Sequence, residues 1–131
     1  MCLERIDKKA KLPKGEVIAW KGLAKSSIYD PKSDFSFPCF DFLKTNKIGK
    51  WMKARKKKVE ISFTGKNYLS GFHVYATKKG LENSIFKNER YHAKVVVKGI
   101  RLVGQQDKRR RAKVFVADKM KVLELIPKQF I

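Results

Sequence analysis

Between residues 91 and 118 the chain writes one pattern twice, and that pattern excludes most folds. In YHAKVVVKG, Tyr91, Ala93, Val95 and Val97 fall on one side of an extended backbone, with His92, Lys94, Val96 and Lys98 on the other. A repeat of two residues is the side-chain period of a strand, not of a helix. IRLVG continues the run, AKVFVAD takes it up again at residues 112–118, and QQDKRRR lies between. Two alternating runs joined by a polar connection predict an antiparallel hairpin with a basic tip. One face of such a hairpin must be buried, so the rest of the chain has to supply partners for it.

Several segments qualify. EVIAW, residues 16–20, is rich in β-branched and aromatic side chains and reads as a strand. Residues 58–64 set Val59, Ile61 and Phe63 against Glu60, Ser62 and Thr64. Residues 71–77, GFHVYAT, set Phe72, Val74 and Ala76 against His73 and Tyr75. KVLELI, residues 121–126, reads as a separate final strand of nearly continuous apolar character. Residues 77–86 are the best candidate for a short helix, which Gly80 weakens. Residues 1–15, broken by Pro13 and Gly15, read as a flexible basic lead-in. Residues 30–42 read as a long loop tied down by Phe35, Phe37, Phe40 and Phe42. Without a repeat or a linker composition, the expectation is an α+β fold. It is a single β-rich domain over residues 16–131, mostly antiparallel, with one or two short helices.

Charge sets the class of partner. The 131 residues carry 32 lysines and arginines against 12 acids, a formal charge of +20. A charge of that size repels itself when the chain compacts, and a polyanion relieves it. The cations are densest in two places. Residues 44–58 hold Lys44, Lys47, Lys50, Lys53, Arg55, Lys56, Lys57 and Lys58 with no acid, and residues 105–113 hold Arg109, Arg110 and Arg111. Trp51 stands inside the first cluster. An aromatic platform in a basic groove is the arrangement that holds single-stranded nucleic acid without sequence preference.

Other chemistries find little support. His73 and His92 are the only histidines, and neither has a third metal ligand at a fitting spacing. Cys2 and Cys39 cannot build a disulfide framework, and no base stands beside Cys39 to activate it. The acids form no compact group of the kind a metal-dependent nuclease gathers. No apolar run approaches the ~18 residues of a membrane span, and MCLERIDKK lacks the apolar stretch of a signal peptide. The expected setting is therefore the reducing cytoplasm, away from membranes.

Two resemblances add to this reading. The order AWKGL (residues 19–23), YLSGFHVYATKKGLENSIF (68–86), YHAKVVVKG (91–99) and VLEL (122–125) resembles that of ADP-ribosyltransferase-type folds. That likeness implies a nicotinamide dinucleotide site in which Lys21 meets phosphate, His73 and Tyr75 touch the cofactor, and Glu124 is the catalytic carboxylate. The family has arginine or histidine where this chain has Lys21, so the planar fork of an arginine is missing. The GFH strand, the valine-rich strand and VADKM (residues 116–120) also resemble small uncharacterised phage and prophage proteins. This implies a viral protein acting on host machinery.

The leading expectation is a non-enzymatic module, with no cofactor, that binds nucleic acid or a nucleoprotein. Lys50, Lys53, Arg55, Lys56, Lys57 and Lys58 form one contact surface, Arg109, Arg110 and Arg111 a second, and Trp51 the stacking group. The alternatives are the transferase-like enzyme using Lys21, His73, Tyr75 and Glu124, and an interaction protein that docks on an acidic protein surface by charge.

Overall fold

The computed structural model describes residues 3, 5–25, 35–36, 42–43, 48–54, 58–60, 67–83, 91–106 and 112–127. Its elements are β1 (Arg5–Ile6), β2 (Val17–Lys25), β3 (Phe35–Ser36), β4 (Phe42–Leu43), β5 (Trp51–Lys53), β6 (Lys58–Glu60), β7 (Asn67–Leu69), β8 (Phe72–Tyr75), α1 (Lys78–Glu82), β9 (Tyr91–Gln106) and β10 (Ala112–Pro127). The protein is a small, mostly antiparallel β domain with very little helix.

The expected hairpin is there and is longer than its sequence pattern. β9 and β10 have 16 residues each and pair from Ala112↔Gln106 to Pro127↔Tyr91. The segments 112–118 and 121–126, expected as separate strands, are one strand. The polar pair Asp118–Lys119 marks a bend in it rather than a break. Gly99 lies opposite that bend with φ +70, and a Cβ there would stand 2.9 Å from the Cβ of Asp118. The ladder slips twice, between Val116 and Ala117 and between Val122 and Glu124. The slips leave Arg101 on β9 and Leu123 on β10 as the extra residues of two bulges.

Bulges bend and twist the strands that carry them. The bent hairpin can therefore use different partners at its two ends. β9 pairs with β2 through Tyr91–Val97 and with β1 at Gly104 and Gln105. β10 pairs with β8 through Val114–Ala117 and with β5 through Lys119–Lys121. β2 and β8 meet at Trp20↔Tyr75, so β9, β10, β8 and β2 close on themselves as a ring. β3 and β4 extend β2 outward, and β6 and β7 form a separate pair.

The ring encloses the main core: Ala19 and Leu23 of β2, Phe72 and Val74 of β8, Ala93, Val95 and Val97 of β9, and Phe115, Ala117, Met120 and Val122 of β10. A second apolar cluster joins Tyr75, Val114 and Val116 to Leu3, Tyr68 and Leu81. Both faces of β8 are thus buried, so His73 and Tyr75, on the face opposite Phe72 and Val74, are inside as well. Helix α1 supplies Leu81 to the second cluster and is capped by Thr77, whose Oγ1 accepts the Gly80 N–H at 3.0 Å. It covers only part of the expected 77–86, and residues 84–90 lie outside the described residues.

Residues 1–15, read as a loose lead-in, contribute β1 as an edge strand on β9 and bury Leu3. The first strand runs from Val17 to Lys25, past the expected end at Trp20. Within residues 30–42, read as a loop, β3 forms and β4 begins. Only Lys58–Glu60 of the strand expected over 58–64 falls among the described residues, and the hairpin tip at 107–111 falls outside them. Among the described residues no helix is long and apolar enough to cross a membrane.

Candidate nucleic-acid interface

The burial pattern fixes which side chains the sheet β5–β10–β9–β2 turns outward. Met52, Met120, Val122, Ala93, Val95, Val97, Val17 and Ala19 face the core. Trp51, Lys53, Lys119, Lys121, Lys94, Lys98 and Ile18 alternate with them on the opposite face, where Val96 is buried beneath its neighbours and Trp20, at the margin, packs against the second apolar cluster. The registers Lys53↔Lys119 and Lys119↔Lys98 line up three lysines straight across three strands. One step along, Trp51↔Lys121, Lys121↔Val96 and Val96↔Ile18 make a row that is aromatic at one end and apolar at the other. A further step brings Lys94 opposite both Glu124 and Trp20.

Directly opposed like charges in a sheet destabilise it. Two such contacts occur in the Lys53–Lys119–Lys98 row, with no carboxylate within the row. The exposed acids at its margins are Glu16, just ahead of β2, and Glu124, opposite Lys94. Trp51 takes up part of this charge. The Lys98 Nζ lies 4.0 Å from its ring centroid and the Lys121 Nζ 4.9 Å. Trp20 has a similar neighbour, the Lys78 Nζ at 5.6 Å. An ammonium over an indole face is held by the ring quadrupole.

Of the residues expected at the first basic surface, Lys50, Trp51 and Lys53 therefore sit on this face or on the turn leading into it. Lys50 and Lys53 are exposed and Trp51 is half-buried. Lys58 belongs to β6, away from this sheet. Arg55, Lys56 and Lys57, and the second surface Arg109, Arg110 and Arg111, lie outside the described residues. Sequence reading missed Lys98, Lys119 and Lys121. They are spread over two strands, and only the pairing of β9 with β10 and β5 collects them.

The residues of the transferase-like reading divide. Lys21 is only 4% exposed, and its Nζ donates to the carbonyl oxygen of His73 at 2.7 Å. Tyr75 is two residues along β8 and pairs with Trp20. Glu124 is elsewhere: it is exposed on β10, eight residues beyond Val116, which pairs with His73. Lys21 thus meets the backbone carbonyl of His73, Tyr75 packs in the second apolar cluster, and the carboxylate of Glu124 is exposed on another strand.

His73 is itself bound up in structure. Its Nδ1 lies 3.0 Å from the carbonyl oxygen of Gly71, which can only accept, so Nδ1 carries the proton. Its Nε2 then accepts from the Tyr68 hydroxyl at 2.8 Å, and that hydroxyl accepts the Leu3 N–H at 2.9 Å. Burial, and after it the nearby Lys21 ammonium, pulls the His73 pKa from the usual 6.5 down to about 3. A neutral imidazole at the centre of such a chain holds β7, β8 and the N-terminal segment together. Among the described residues no three His, Cys, Asp or Glu side chains gather where they could hold a metal ion.

The chain matches no protein-family model, no curated protein and no solved structure.

Proposed function

We propose that this protein is a non-enzymatic module that binds nucleic acid through its phosphates, using the outer face of β5, β10 and β9. The observation that carries this reading is the uninterrupted row Lys53–Lys119–Lys98 beside Trp51, set in a chain of net charge +20. Three aligned ammonium groups repel one another, and a phosphate backbone laid across them turns that repulsion into attraction while releasing its own counterions. Lys50, Lys94 and Lys121 widen the same field.

The test is a filter-binding series on a mixed-sequence oligonucleotide. With about 6–10 phosphate contacts, affinity should fall roughly 10³–10⁵-fold between about 50 and about 200 mM salt. Replacing Lys53, Lys98 and Lys119 together by Gln should lower the slope of log affinity against log salt by about 2–3, without altering sequence preference. No binding to DNA or RNA at about 50 mM salt rejects the proposal. Poly-glutamate binding as tightly as nucleic acid of equal charge would point instead to an acidic protein surface as the partner.

A further inference from the structure

The outer face carries more than charge, and its apolar part has no use in a contact with phosphate alone. Ile18 is 44% exposed, beside buried Val96 on β9 and two residues from Trp20, which packs one side on the second apolar cluster and is half-buried. The row continues through Lys121 to half-buried Trp51. An indole stands near each end of this stripe, one on β5 and one on β2, with a lysine ammonium over each ring. We infer that this face takes single-stranded nucleic acid, with Trp51 and Trp20 as two separate platforms for unpaired bases. The inference rests on the phosphate-binding reading above and names the class of strand bound.

Three arguments lead to it. A duplex hides the faces of its bases and offers a protein surface mostly phosphate and sugar, which indoles and an exposed isoleucine do not match. An unpaired strand presents a π-face at every base, and stacking on an aromatic ring is favourable for all of them. The second argument is spacing. Three strand separations and a two-residue offset put the indoles roughly 16 Å apart along the sheet. That is too far for neighbouring stacked bases about 3.4 Å apart. The platforms therefore take bases several nucleotides apart, within the ~4–16 nucleotides that small β-barrel modules cover. Third, the lysines are where the strand's phosphates would pass. Lys98 and Lys121 flank Trp51, Lys78 flanks Trp20, and Lys94 lies between them on β9. A base settling on an indole takes the place of the ammonium over that ring face, and the displaced lysine is then within reach of the strand's phosphate.

The experiment measures the wild-type protein first. A thymidine and a uridine oligonucleotide of about 20 nucleotides, and a duplex of equal charge, are titrated at one salt concentration while tryptophan emission and anisotropy are followed. The expected result is tighter binding of both single strands, with quenching of the indoles that the duplex does not produce. Trp51→Leu and Trp20→Leu should each weaken single-strand binding roughly 5- to 150-fold and leave the duplex nearly unchanged. Duplex binding as tight as single-strand binding, with no quenching by either strand, overturns the inference and leaves phosphate binding standing. Equal losses for strand and duplex in the tryptophan variants overturn it as well. Failure of every nucleic acid to bind removes the underlying reading itself. The wild-type quenching decides the matter even if Trp20→Leu does not fold.

Discussion

His73 shows how little a residue's type says about its task. It is a histidine beside a lysine, which reads as chemistry, yet both ring nitrogens and its backbone carbonyl serve the architecture. Its consequence is a pH dependence of stability. With a folded pKa of about 3 against an ordinary 6.5, the unfolded chain takes up a proton in the interval between them that folded His73 refuses. The stabilisation is complete above pH 6.5 and is lost progressively down to about pH 3. Between pH 7 and pH 5 the loss from this one group is about 2 kcal/mol. Urea melts across that range should show it, and His73→Gln, though less stable at neutral pH, should show a flatter profile. Identical slopes in parent and variant would place the origin of the pH dependence elsewhere.

At the scale of elements, the β9–β10 hairpin organises the fold because it bends. Strands of 16 residues that stayed flat would leave long unpaired edges, an invitation to aggregation. Gly99 at positive φ and the extra residues Arg101 and Leu123 turn the two halves toward different partners. Arg101 helps to hold the bend: its Nη2 donates to the Ser70 carbonyl oxygen at 2.6 Å and lies 3.8 Å from Asp118 Oδ1. Gly99→Ala should therefore destabilise the protein by more than about 1 kcal/mol, since it combines a left-handed backbone with a Cβ 2.9 Å from that of Asp118. Chemical denaturation measures this directly. A neutral or stabilising result would mean that the bend does not depend on glycine. Gly71 is constrained differently, by room: a Cβ there would meet the Ala117 carbonyl oxygen at 2.5 Å.

For the whole molecule the governing quantity is the charge of +20. Its cations are not diluted evenly over the surface, because the sheet lines up Lys53, Lys119 and Lys98 on one face. Salt should consequently stabilise this protein. Raising the ionic strength from about 0.01 M to about 0.15 M shortens the Debye length from roughly 30 to 8 Å, which screens the repulsion. The melting temperature is expected to rise by about 4 °C over that range, the equivalent of roughly 1 kcal/mol for a domain of this size. Replacing the three row lysines by Gln should raise the low-salt melting temperature and reduce the gain from salt. A melting temperature that falls with added salt would show that attractive ion pairs outweigh the repulsion.

Alternation by itself determined the β-rich, antiparallel character, the hairpin centred on residues 91–118, and the inward set Ala93, Val95 and Val97, because a period of two leaves a strand only two ways to face. Composition determined the charge. The tertiary structure decided what depends on pairing between distant segments. Asp118 and Lys119 look like a break in sequence, but Gly99 and the bulges make them a bend, and residues 112–127 remain one strand. Alternation separates His73 and Tyr75 from Phe72 and Val74 without saying what covers either face, and Tyr68, Leu3 and Leu81 cover the first pair from segments outside that strand. The lysines beside Trp51 were only half legible. Lys50 and Lys53 are its sequence neighbours, whereas Lys98, Lys119 and Lys121 reach it through strand register. Charge density along a chain is a local property, but a cross-strand row is made by hydrogen bonds between strands, here those that pair β10 with β5 and with β9.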